Sequence, residues 1–162
     1  MAEPVRVVFD VHLYLNNVTG TDSLWPVVAE VPPESGNPSA DSISIIFDNP
    51  GAFALHASPH IIRNTARVLR ACGLAEAFIA EYLSAITEII TESGGDVREP
   101  GQVLEPGARD LEDNHILALA LAVDADIIVS DDTDLTVLSP WLGRPIVRPR
   151  EFVRRYLRGR GR

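Results

Sequence analysis

DLEDNHILALALAVDADIIVSDDTDL, from Asp110 to Leu135, is the stretch that dictates the fold class. In its first half Asp113, Ile116, Leu117 and Ala120 recur at helical spacing. A helix over Asp110 to Val123 therefore carries Asp113 at the head of its core-facing stripe. Asp110 and Glu112 suit the same helix end as capping and dipole residues. Its second half, Ala125 to Ser130, is a short apolar run of the kind buried on both faces of a parallel sheet, and it stops at Asp131, Asp132 and Asp134. A helix followed at once by a buried strand that ends in acid is one step of an alternating α/β chain.

The pattern extends in both directions. Val5 to Phe9 is a second β-branched, nearly continuous apolar run, expected to be the first and central strand, and it too ends in a carboxylate, Asp10. Ala52 to Ala57 reads as another strand. Ser58-Pro59 then supplies an N-cap with proline at the first helical position, opening a helix to about Ala71. Leu74 to Thr91 places Phe78, Tyr82, Ile86 and Ile90 four residues apart, as in a packed helix. Pro145 to Val147 is expected as a last strand leading into a helix over Pro149 to Leu157. Val97 can start a short strand before the loop from Pro100 to Gly107. Between Asn16 and Gly51, Gly, Pro, Ser and Asn are frequent. Leu24 to Val31 and Ser39 to Asp48 read there as short helices, although Ile43, Ile45 and Phe47 also fit strand alternation. The expectation is a three-layer α/β/α fold with a central, mostly parallel sheet of four to five strands. All 162 residues are expected to form one domain, with an Arg-rich C-terminal helix and tail over 149–162.

Composition narrows the chemistry. The chain has no lysine, which removes a P-loop, whose Gly-Lys-Ser/Thr must reach phosphates. It equally removes response-regulator receivers and haloacid-dehalogenase-like phosphatases, which pair a strand-end Asp with an essential lysine. Counting from Asp131 or Asp132, the Gly and Glu that an EF-hand loop requires are missing. The lone Cys72 falls in an apolar helical stretch and is expected in the core, with no disulfide framework. Neither a basic leader nor an apolar run of about 18 residues occurs, so a soluble cytoplasmic protein without a membrane role is expected.

Charge is segregated. Of the 14 arginines, eight fall between Arg144 and Arg162 with only Glu151 against them. That segment carries +7 and the remainder −16, for a net charge of −9. A basic tail on an acidic body can grip phosphates or an acidic partner, or simply form a solvated last helix with cations at its C-terminal end.

Acids at the ends of two neighbouring parallel strands would lie in the crevice where such folds bind ligands. They repel one another there, and a hard cation such as Mg²⁺ or Mn²⁺ relieves that through oxygen ligands. The matching chemistry is metal-assisted phosphodiester hydrolysis.

Five segments, in order, resemble the PIN-domain family: Val7 to Asp10, Ser58-Pro59-His60 with the helix through Leu69, Asp113 to Ala120, Ile127 to Leu135, and Pro149 to Phe152. Within that family the chain is similar to PIN proteins that act as toxin components of toxin-antitoxin systems, the VapC-like ribonucleases. The resemblance implies a Mg²⁺- or Mn²⁺-dependent endoribonuclease cleaving single-stranded RNA, a homodimer, and an antitoxin protein that blocks the acidic pocket. Asp10, Asp113 and Asp132 match its metal-binding aspartates, and Asp134 matches the accessory acid.

Two positions depart from the family pattern. His12 stands where an Asn is usual, and is read either as an orienting or phosphate-contacting residue or as a polar side chain satisfied by backbone. Asn64 stands where a Glu is usual. Its amide can orient a water but cannot take a proton, so the catalytic set becomes Asp10, Asp113, Asp132, Asp134, Asn64 and His12 with one anionic group fewer. His60 and His115 are expected on the surface of their helices. The competing reading is a catalytically degenerate PIN domain that binds RNA or protein.

Overall fold

The computed structural model describes residues 2–19, 36–101 and 111–158. The loop over 102–107, the helix expected at Leu24 to Val31, Asp110 and the tail beyond Arg158 lie outside the described residues. The elements are β1 (Val5–Phe9), α1 (Val11–Thr19), α2 (Pro38–Asp48), β2 (Phe53–His56), α3 (Pro59–Ala71), α4 (Glu76–Glu92), α5 (Leu111–Ala122), β3 (Ile127–Val129), α6 (Thr133–Thr136), β4 (Ile146–Val147) and α7 (Pro149–Arg158).

The four strands form one sheet in the order β2-β1-β3-β4, and every neighbouring pair is parallel. Val97 contributes only an isolated parallel bridge to Ala57, not a full strand. In-register parallel neighbours share a face, so Val7, Phe9, Phe53 and Val129 lie on one side, while Val8 and Ile128 lie on the other. The first face is closed by α7. Its Phe152, fully buried, sits edge-on to Phe9 and Phe53 at ring-centroid distances of 5.6 and 5.9 Å. Val8 and Ile128 are equally buried, so helices flank both faces and give the three-layer architecture.

Local chemistry explains most boundaries. Asn37 caps α2 by accepting from the Ala40 amide at 3.1 Å, with Pro38 next in line, which settles Ser39 to Asp48 as helix. Ser58 caps α3 in the same way, accepting from Ile61 N at 3.2 Å. Helix α1 has no counterpart in the sequence reading: the chain turns helical directly after Asp10. Its Val11, Leu13, Tyr14 and Leu15 are buried almost in succession, against both sheet and helices, so no helical period marks it in the sequence.

Cys72 also corrects the sequence reading, because it is exposed. It stands three residues beyond the buried Leu69 and so continues the stripe by spacing. But α3 has ended there, and Gly73, at φ +87°, turns the chain away.

Candidate metal centre

Strand order fixes where a ligand can sit. From β1 the chain goes to β2 on one side and later to β3 on the other, so the connections diverge between β1 and β3. In an open parallel sheet the crevice at the carboxyl ends of two such strands is the ligand-binding position. Asp10 follows β1, and Ser130 to Asp132 follow β3. Helix α5 must start at this same edge, because its far end leads into the beginning of β3, and this brings Asp113 to the crevice.

Carboxylate oxygens of Asp113, Asp132 and Asp134 lie within 4.8 Å of one another. Asp113 is only 4 % exposed, with Ile116, Leu117 and Ala120 buried behind it, as its helical spacing requires. Asp132 and Asp134 are held by the short helix α6. Asp132 is its N-cap and accepts from the Asp134 amide at 2.9 Å, so one carboxylate fixes the start of the turn that presents the other.

Asp10 stands beside this trio rather than within it. Its Oδ1 accepts from Val11 N at 2.6 Å and its Oδ2 from the Ser130 hydroxyl at 2.7 Å. Burial raises its pKa above the usual 3.8. The Ser130 hydrogen bond, the nearby His12 and the Val11 amide pull it back, and the charge of Asp132 adds to the rise. Asp132 is thus close enough to act on Asp10 as a like charge. His12, exposed in the first turn of α1, is close enough to favour its ionised form.

Asn64 lies half-buried on α3, and its side-chain oxygen accepts from Arg67 Nε and Nη2 at 3.1 and 2.6 Å. One turn earlier, His60 stacks on His115 of α5 with ring centroids 3.9 Å apart. The N-terminal ends of α3 and α5 therefore touch through these rings.

Ser130 and Arg148 were not singled out by sequence reasoning. Ser130 Oγ, besides binding Asp10, accepts the Asp132 amide at 3.0 Å. A serine that closes an apolar strand directly before an acidic pair is the signal that could have found it. Arg148 had no such mark among eight clustered arginines.

The donor set suits a hard divalent cation: three carboxylates in reach of one another and no thiolate among them.

The PIN domain family model matches residues 33–134 of the chain. This protein belongs to the PIN-domain family. The match takes in Asn64, Asp113, Asp132 and Asp134, while Asp10, His12 and α7 lie outside it. Searches of curated proteins and of solved structures return no significant match. Membership in the PIN family points to nuclease activity in general, and PIN domains typically use divalent metal ions. Among the described residues, no helix is long and apolar enough to cross a membrane.

Proposed function

We propose that this PIN domain is a metal-dependent endoribonuclease that cleaves single-stranded RNA, with Asp10, Asp113 and Asp132 holding Mg²⁺ or Mn²⁺ and Asp134 supporting them. The observation that carries this reading is the convergence of the Asp113, Asp132 and Asp134 oxygens at the strand-end crevice, with Asp10 adjoining. A divalent ion bound there would supply a Lewis acid and an acidified water for phosphodiester hydrolysis. The protein's own groups do the rest. Asp113 is held by the buried stripe of α5, and Asp132 and Asp134 by the cap that starts α6. Ser130 keeps the Asp10 carboxylate oriented, and His12 adds a donor beside it that can meet a phosphate oxygen. Asn64 can orient a water through its amide but cannot accept its proton.

The resemblance to VapC-like proteins supports a cytoplasmic toxin, acting as a homodimer, whose cognate antitoxin occupies the acidic pocket. Arginines of α7 and the tail would position RNA or that partner. The test is cleavage of single-stranded RNA by the purified protein with Mn²⁺ or Mg²⁺, against a panel that includes DNA. EDTA or Asp113→Asn should abolish cleavage, and activity unchanged by both overturns the site.

One observation favours a binding-only PIN domain: the Asn64 oxygen is engaged by Arg67 instead of presenting a carboxylate. That reading predicts no cleavage and little metal-induced rise in Tm, with gain of cleavage on Asn64→Glu.

A further inference from the structure

Arg148 leaves the sheet directly beside the acidic loop. Ser130 N donates to Val147 O at 2.9 Å, so the residue after β4 emerges next to the residue after β3. From there its guanidinium spans Asp132. Nη1 donates to the carbonyl oxygen of Asp131 at 2.6 Å and lies 3.6 Å from that residue's Oδ1, and Nη2 donates to Thr133 Oγ1 at 3.1 Å. Together with the Ser130 hydroxyl on the Asp132 amide, these bonds hold the loop before, at and after Asp132.

We infer that Arg148 is a positioning residue, a two-pronged clamp on Asp131–Thr133 that keeps the Asp132 carboxylate turned toward Asp113 and Asp134. The inference rests on the reading that these acids hold a divalent ion. The guanidinium is suited to the task by shape as well as by charge. Its planar fork reaches two acceptors on either side of one residue, which the single ammonium of lysine cannot do. Half-exposed, it also sets a permanent cation 3.6 Å from the Asp131 carboxylate, at the start of the acidic loop. Residues that orient metal ligands from behind commonly change metal affinity about 10- to 100-fold when removed.

The experiment compares the wild type with Arg148→Met, Arg148→Lys and Thr133→Val in two measurements. Free Mn²⁺ is followed by electron paramagnetic resonance during titration, and hydrogen exchange of the Asp132 and Asp134 amides is followed in metal-free protein. Arg148→Met and Arg148→Lys should both weaken Mn²⁺ binding about tenfold and speed exchange at both amides. Thr133→Val should fall between them and the wild type. Full restoration by lysine would show that charge alone matters and overturn the clamp, as would unchanged affinity and exchange in Arg148→Met. A wild type that binds no Mn²⁺ instead overturns the metal reading, and the metal-free exchange rates still decide whether Arg148 holds the loop.

Discussion

The Ser130 hydroxyl donates to Asp10 at 2.7 Å while its oxygen takes the Asp132 amide at 3.0 Å, so one side chain joins the acids that follow the two interior strands. Ser130→Ala would leave a buried carboxylate oxygen without this donor, at a cost of roughly 1–3 kcal/mol. Urea unfolding of metal-free protein at neutral pH measures it. A variant as stable as the wild type would mean that the bond contributes nothing.

Asp10 gives the protein a pH signature. Burial first, and the charge of Asp132 with it, raises its pKa above the unfolded value near 3.8. The stability associated with protonated Asp10 is therefore complete below the unfolded pKa and is lost as pH rises through the higher folded one. Asp10→Asn cannot ionise and escapes that loss. In EDTA, its Tm advantage over the wild type should be small near about pH 4 and grow toward about pH 8. A constant difference across that range would contradict the shift.

Two buried tyrosines make opposite predictions. Tyr82 donates its hydroxyl to the Tyr14 carbonyl at 2.6 Å and accepts from Asn17 Nδ2 at 3.1 Å. The Tyr14 hydroxyl is buried with no hydrogen-bond partner among the described residues. Tyr82→Phe should cost roughly 1–3 kcal/mol, whereas Tyr14→Phe should be neutral or stabilising by up to about 1 kcal/mol. Equal effects in denaturant unfolding would refute the assignment.

Gly95 is required by close approach rather than by backbone freedom. A Cβ there would overlap the backbone carbonyl of Leu55 in β2, and backbone on both sides leaves nothing flexible to yield. Gly73→Ala, in open space at φ +87°, should cost only about 1–2 kcal/mol. Gly95→Ala should cost more than about 4 kcal/mol or prevent folding. Thermal melts of the two variants side by side check the order.

Much of this molecule is legible in the chain because local and tertiary demands coincide. Ser58-Pro59 starts α3 by capping chemistry alone. The Asp113 stripe points its own carboxylate inward, and Val7–Phe9 and Ile127–Val129 are apolar throughout because helices cover both their faces. Legibility fails where a residue's environment is set by distant chain. Helix α1 is wedged on several sides and loses its period, and Cys72 sits on a stripe whose helix has already ended. Asp134 joins Asp113 only through the cap that Asp132 makes, a turn too short to leave a periodic trace. Arg148 reads as one more cation in a basic run until β4 is laid beside β3.

The position of Phe152 bears on when this protein can come into being. The rings of Phe9 and Phe53 on this face of the sheet are sealed by Phe152, which follows them by 143 and 99 residues. On the ribosome, β1 and β2 emerge early and must wait with Phe9 and Phe53 uncovered until α7 is out. Asp10 follows β1, whereas Asp113, Asp132 and Asp134 arrive only with α5 and α6, so translation completes the acidic crevice late, and a message cut short before codon 149 would yield a chain whose sheet face stays open.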